Sequence, residues 1–245
     1  MSLDACAALL RDGDPDRLAV VMAAAPAYRP RLVSLYAANL EIARAALASS
    51  EPLISLMRLQ WWQDQLAGIA AGKGSPGHEV LDAVAAHWGV EAGAIGALAE
   101  ARRHDAMREP LRDEAAVLAY IDATAGALMR LAAGVCGYHG AAVADQARGA
   151  GLAAWLAALP RLAGLGLGVE DAPARIAGLA EEGIAGLDRA ARHRDVPKKA
   201  APALFAGAGA RVVLRAAAQG QSVEISQFSR RFALLRLALF GHWRG

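Results

Sequence analysis

The chain has 245 residues, 62 of them alanine, with 56% hydrophobic and only 5% aromatic residues. Alanine leads the helix-propensity ranking and strand-forming aromatic residues are sparse, so the composition excludes a disordered chain, argues against a β-sandwich or barrel, and predicts an all-α protein. The net charge of +2 comes from arginines scattered along the chain rather than from a basic stripe, which excludes a dedicated nucleic-acid binder.

Breakers cut the sequence into segments of helical length that carry apolar residues at three-and-four spacing. They predict helices over residues 15–25, 30–48, 51–71, 77–88, 91–108, 113–136, 141–159, 173–192, 199–219 and 222–241. Asp14-Pro15, Ser50-Glu51-Pro52 and Asp171-Ala172-Pro173 each read as a helix start, with a capping side chain ahead of a proline in the first turn. The connections are short, which predicts antiparallel neighbours packed in one bundle, a single domain over residues 1–245. The glycine-rich run from Leu162 to Val169 reads as a loop.

In the segment over 30–48, Tyr36, Asn39, Ala43 and Leu47 form one stripe. Asn39 is the polar group on that side, expected as a buried amide bonded to a neighbouring helix. Glu41 and Arg44 lie on the other side at a spacing that allows an ion pair. In the segment over 51–71, Leu53, Met57, Gln60 and Asp64 align, so that Gln60 and Asp64 either line a cavity or mark where the stripe runs into solvent. Trp61 and Trp62 point to different sides of this helix and are both expected in the core. In the segment over 113–136, Tyr120, Thr124, Ala127 and Leu131 share a face, and Gly126 beside them allows close approach, by a neighbouring helix in the first instance. The last helix aligns Phe228, Phe232, Leu235, Leu239 and Trp243, with Arg231 and Arg236 at the flanks and Arg230 further round. Leu234, Leu237 and Phe240 make its other side apolar too, which favours an internal bundle helix over a membrane-facing one.

Searches for catalytic patterns return little. No GxSxG, P-loop, HExxH or CxxC occurs, and the six histidines include no pair four apart. Glu100 and His104 are four apart on an arginine-rich helix and read as a solvated face. Asp12, Asp14 and Asp16 resemble the start of a calcium loop but end on Ala23 where a glutamate is needed. Cys6 and Cys136 lie far apart, which predicts reduced thiols of a cytosolic protein. The MSLDAC start predicts no secretory leader. The longest stretch without Asp, Glu, Lys or Arg, Leu131 to Ala144, is too short to cross a bilayer. The expected location is therefore cytoplasmic, peripheral to the inner face of the membrane if the last helix docks there.

DPDR (14–17), APAYRPRLVSLYAANLEIAR (25–44), SEPLISLMRLQWWQDQL (50–66), YIDATAGALMRL (120–131) and AAWLAALPRL (153–162) together resemble the squalene/phytoene synthase family in order and spacing. RLQWW is the most specific of these runs. The resemblance implies the all-α isoprenoid synthase bundle with helices around a central cavity. It makes Tyr36, Asn39, Ala43, Leu47, Met57, Gln60, Asp64, Tyr120, Thr124, Gly126 and Ala127 the candidates for lining that cavity, and Arg58 and Arg161 the candidates for binding an anion.

Active members of that family couple two prenyl diphosphates, and the resemblance implies two aspartate clusters that hold magnesium against the departing diphosphate. Aligned on Tyr36-Ala37, the first cluster falls on Ala43, Arg44 and Leu47, none of them a carboxylate. The second follows an arginine at the place of Arg161, where the next residue is Leu162. No catalytic residue and no metal ligand is therefore expected, and no cofactor. Glu41 and Arg44, with SEPL before RLQWW, look most like the non-catalytic branch that includes the mitochondrial complex I assembly factor of this family and its bacterial relatives. That likeness implies a non-catalytic binding or assembly factor whose partner is a protein or a membrane-associated complex. The alternatives are an isoprenoid or lipid carrier, or a divergent prenyltransferase needing Mg²⁺ and recruiting Asp64, Glu100, Asp105, Glu170 and Asp171.

Overall fold

A computed structural model describes residues 2–244. The chain is all-α, with no strand among the described residues beyond one isolated bridge between Leu111 and Val169; its connections run from single residues to the 193–209 segment. Two compact units meet in sequence at Met107 and Arg108, and Arg108 holds a left-handed φ of 56°.

The first unit carries α1 (Ser2–Gly13), α2 (Pro15–Ala23), α3 (Arg29–Ala46), α4 (Pro52–Ala70), α5 (Glu79–Trp88), α6 (Ala92–Ala101) and α7 (Arg103–Met107). α3 is its centre. It touches α1, α5, α4 and α6, so its residues are buried nearly all round, from Leu32 to Ala38 and again at Ile42, Ala45 and Ala46. Its buried Ser34 is satisfied: Oγ donates to the Pro30 carbonyl one turn back (2.9 Å) and accepts from Trp88 Nε1 of α5 (3.2 Å). Asp14 caps α2 as its sequence predicts, accepting from the Arg17 N–H at 3.0 Å. α1 was not among the predicted helices. Its apolar residues Leu3, Cys6 and Leu10 recur at helical spacing, and Cys6 and Leu10 are buried.

The second unit carries α8 (Glu114–Ile121), a π-helical turn (Asp122–Gly126), α9 (Ala127–Val135), α10 (Ala142–Ala163), α11 (Ala172–Arg192), α12 (Ala210–Ala218) and α13 (Gln227–Phe240). α8, the π turn and α9 run on as one helix, Glu114–Val135, whose length and mean hydropathy of 1.3 would suffice to cross a membrane; it packs on α10 within this unit. Asp113 caps it, accepting from Ala116 N–H at 2.8 Å. α10 is the central element, with Leu152, Leu156 and Leu159 meeting Leu179 and Leu187 of α11 and Leu214 of α12. Glycines let the backbones close in: a Cβ on Gly149 would sit 2.8 Å from the Gly183 carbonyl oxygen, and one on Gly151 would sit 2.9 Å from Ala125 Cβ.

Several boundaries differ from those predicted. α10 runs past its predicted end, through Pro160 to Ala163, although that proline has no N–H to donate to the Leu156 carbonyl one turn back. The run expected as a loop from Leu162 thus begins in the helix, then turns on Gly166 (φ 76°) and Gly168 (φ 117°). The predicted helix over 199–219 is broken. Lys198–Ala200 is a 3₁₀ turn, and Gly207 (φ 90°) and Gly209 (φ 74°) hold the chain in left-handed backbone before α12 begins. Asp171 adopts a φ of 49° and gives α11 no side-chain cap, so this start signal works through Pro173 alone. Trp61 was expected in the core but is 39% exposed, while Trp62 is buried.

The last helix departs furthest from its prediction. α13 buries only Leu237 along its length; Phe228 (78%), Phe232 (50%), Leu235 (53%) and Leu239 (55%) are exposed. The internal bundle position expected for it is not the one it takes. Trp243, just beyond the helix end, does reach the interior.

Candidate functional site

A concavity in the first unit lies between α3 and α4, an open cleft of about 260 Å³ lined by Glu41, Arg44, Ala48, Arg58, Trp61 and Trp62 among others. Helical spacing builds it. Glu41 and Arg44 sit one turn apart on α3 with Ala48 just past its end, and Arg58 lies one turn before the adjacent Trp61 and Trp62 on α4. Glu41 Oε1 accepts from Arg44 Nη1 at 3.1 Å, the ion pair the spacing predicts. Among the described residues Arg58 has no carboxylate partner. The wall is aromatic: Trp61 and Trp62 meet edge to face with centroids 5.5 Å apart, and His78 lies against both, at 5.8 and 5.3 Å. An open cation beside aromatic faces suits an anionic group attached to an apolar body. Among the described residues that line the cleft Glu41 is the one carboxylate, and it is paired with Arg44.

The predicted cavity-lining residues are distributed over both units. In the first, Tyr36 is buried on α3 beneath the Arg17 guanidinium (4.8 Å), and Asn39, Ala43 and Leu47 are half-buried. Met57, Gln60 and Asp64 are exposed on α4. Gln60 Nε2 donates to Asp64 Oδ1 at 2.9 Å while its Oε1 accepts from Arg103 at 3.4 Å. The buried face of α4 is a different stripe, Ser55, Leu59, Trp62, Leu66 and Ile69. In the second unit Thr124 and Gly126 are buried, and Tyr120 and Ala127 half-buried, at the π turn. Thr124 Oγ1 donates to the Tyr120 carbonyl at 2.7 Å there. Arg161 stands exposed near the end of α10. Of the two anion-binding candidates, Arg58 lines the cleft.

The π turn also anchors a charged network that the sequence did not suggest. Arg148 of α10 bridges Asp122 (2.5 Å) and Glu182 of α11 (3.5 Å). Arg189 of α11 bridges Glu182 (2.9 Å) and Asp145 (2.8 Å). Hydrogen bonds to these carboxylates hold both guanidinium pKa values above their usual range. Nearby, burial and a hydrogen bond to Asp195 push the Tyr138 hydroxyl up to about 12.

The squalene/phytoene synthase family matches residues 10–165, more than half of the chain. This chain belongs to the squalene/phytoene synthase family. The match takes in α2 through α10 and ends in the turn before α11. Searches of curated proteins and of solved structures return no match.

Magnesium, which the family implies, does not fit the residues present. Where the resemblance puts the first cluster, the end of α3 and its cap carry Ala43, Leu47 and the cation of Arg44, and a guanidinium repels a divalent ion that wants carboxylate oxygens. At the second, Leu162 follows Arg161, and Glu170 and Asp171 are exposed before a helix start. Among the described residues no three of His, Cys, Asp or Glu are grouped so as to hold a metal ion. Glu100, a carboxylate expected on a solvated face, accepts from Gln63 Nε2 at 2.8 Å and pairs with Arg103.

Proposed function

We propose that this squalene/phytoene synthase family member works by binding rather than by prenyl transfer, as a non-catalytic factor in the assembly of a membrane-associated respiratory complex, complex I being the candidate. The observation that carries the reading is chemical. A departing diphosphate needs cations held by carboxylates, and the end of α3 with its cap offers Ala43, Arg44 and Leu47 where the resemblance puts the family's first cluster. The choice of complex I rests on the resemblance of the NLEIAR and SEPLISLMRLQWW runs to the non-catalytic branch of the family. Deleting the gene in its native cell and resolving respiratory complexes on native gels tests it. Loss of assembled complex I with the other complexes retained is the expected result, and normal complex I levels would refute the assembly role.

The cleft beside Arg58 favours one companion reading, a carrier for an isoprenoid or other amphiphile with an anionic head. Native mass spectrometry of the protein purified from its own cell should then show a bound lipid, lost on Arg58→Glu; an empty protein counts against the carrier.

A further inference from the structure

α13 presents an apolar stripe that none of the described residues covers. Phe228, Phe232, Leu235 and Leu239 fall within one narrow sector at 100° per residue, and each is at least half exposed. Phe228 and Phe232 stack with centroids 6.2 Å apart and an interplanar angle of 7°. On the opposite side Leu237 is 2% exposed and faces the protein. Arg231 borders the stripe on one side and Arg236 on the other, the latter over the Phe232 ring at 6.0 Å. From Ile225 to the end of the sequence there are four arginines and no carboxylate.

The helix is also held in place. Ser226 caps its start, accepting from the Ser229 N–H at 3.2 Å, and Gly241 ends it in left-handed backbone (φ 68°). Beyond that, buried Gln146 donates to the Trp243 carbonyl (3.2 Å) and Arg244 to the His193 carbonyl (3.0 Å). The exposed stripe therefore belongs to an anchored helix, not to a frayed tail.

We infer that α13 docks this protein in plane on an anionic lipid surface, its phenylalanines and leucines inserted below the headgroups and Arg231 and Arg236 at headgroup level. Fourteen residues make a helix of about 21 Å, too short for a hydrocarbon core of about 30 Å, so it lies in the interface and does not cross it. Arginines on both borders with no acid among them complement phosphatidylglycerol or cardiolipin. The same arrangement disfavours a second copy of this chain, since two such helices would set arginine against arginine.

Flotation of the full-length protein with vesicles tests this. Binding is expected to vesicles of phosphatidylcholine mixed with phosphatidylglycerol, to weaken with added salt, and to be much weaker on phosphatidylcholine alone. The F228S/F232S variant should bind the mixed vesicles more weakly by on the order of a hundredfold. Arg231→Glu with Arg236→Glu should remove the preference for anionic vesicles. A parent protein that stays unbound with both vesicle types overturns the inference. So does a parent that self-associates through this stripe, read as a mass change lost in F228S/F232S, without binding vesicles. If F228S/F232S fails to fold, Leu239→Trp provides the second readout: quenching by brominated lipid above the parent's own signal is expected, and no added quenching overturns the inference.

Discussion

Replacing Gly149 by alanine tests the central packing of the second unit. An added Cβ would lie 2.5 Å from Leu187 Cγ and 2.8 Å from the Gly183 carbonyl oxygen. The leucine can change rotamer, but the carbonyl belongs to the α11 backbone and moves only if α11 moves. Overpacking of this kind costs about 1–3 kcal/mol, and a clash with backbone belongs at the upper end of that range. Alanine regains about 1 kcal/mol of helix propensity over glycine, so the net expectation is a loss of about 2 kcal/mol. For a chain of this size that lowers Tm by roughly 4–8 °C, read by circular dichroism at 222 nm or by urea titration of the same signal. Gly96→Ala is the internal comparison, since its Cβ meets nothing closer than Leu66 Cβ at 3.9 Å and should stabilise by up to about 1 kcal/mol. A G149A protein as stable as the parent, or more so, would refute the close α10–α11 approach.

Arg148→Ala removes the bridge between Asp122 and Glu182; at 31% side-chain exposure the expected loss is about 1 kcal/mol, smaller in high salt, and no change in urea midpoint would remove the network from the account of stability. The Cys6 and Cys136 thiols are both pushed up to about 11, mainly by burial, so they hold their protons in the fold and their contribution to stability fades as pH rises through 9, where unfolded thiols ionise first. Neither should react with a disulfide reagent at pH 8 until the protein unfolds, and fast reaction of either in the folded state contradicts the burial. His242, an exposed residue, is held below its usual 6.5 by partial desolvation and by the charges of Arg236 and Arg244. Its protonation therefore favours the unfolded chain, stability falls as pH drops below 6.5, and an NMR titration should place its midpoint below that value; a midpoint above it is the contrary result.

The helical class, most helix spans and the Asp14 cap are legible because local signals and burial agree there. α3 shows where such reading works best: Glu41 and Arg44 are neighbours by spacing alone, and the chain pairs them. α4 shows where it fails. Leu53, Ile54, Met57 and Trp61 are as apolar as Leu59, Leu66 and Ile69, so the pattern offers two stripes and only tertiary contact selects the buried one. The same holds for α13, where apolar residues on both sides predict a core helix and the exposure of Phe228 and Phe232 decides otherwise. The cleft residues Trp61 and Arg58 depend on how α3 and α4 pack, and the Arg148–Glu182–Arg189 network joins positions far apart in sequence; neither leaves a local signature. Ala43, Arg44 and Leu47 are plain from the sequence; that the resemblance places a carboxylate cluster there is a comparison with a family pattern and has no counterpart in helix periodicity.

Pyrophosphate release tests the central claim most directly. Purified protein given Mg²⁺ with farnesyl or geranylgeranyl diphosphate should release no pyrophosphate above the rate without protein. Release with either substrate, lost on denaturation, would contradict the account and return this chain to the catalytic members of its family.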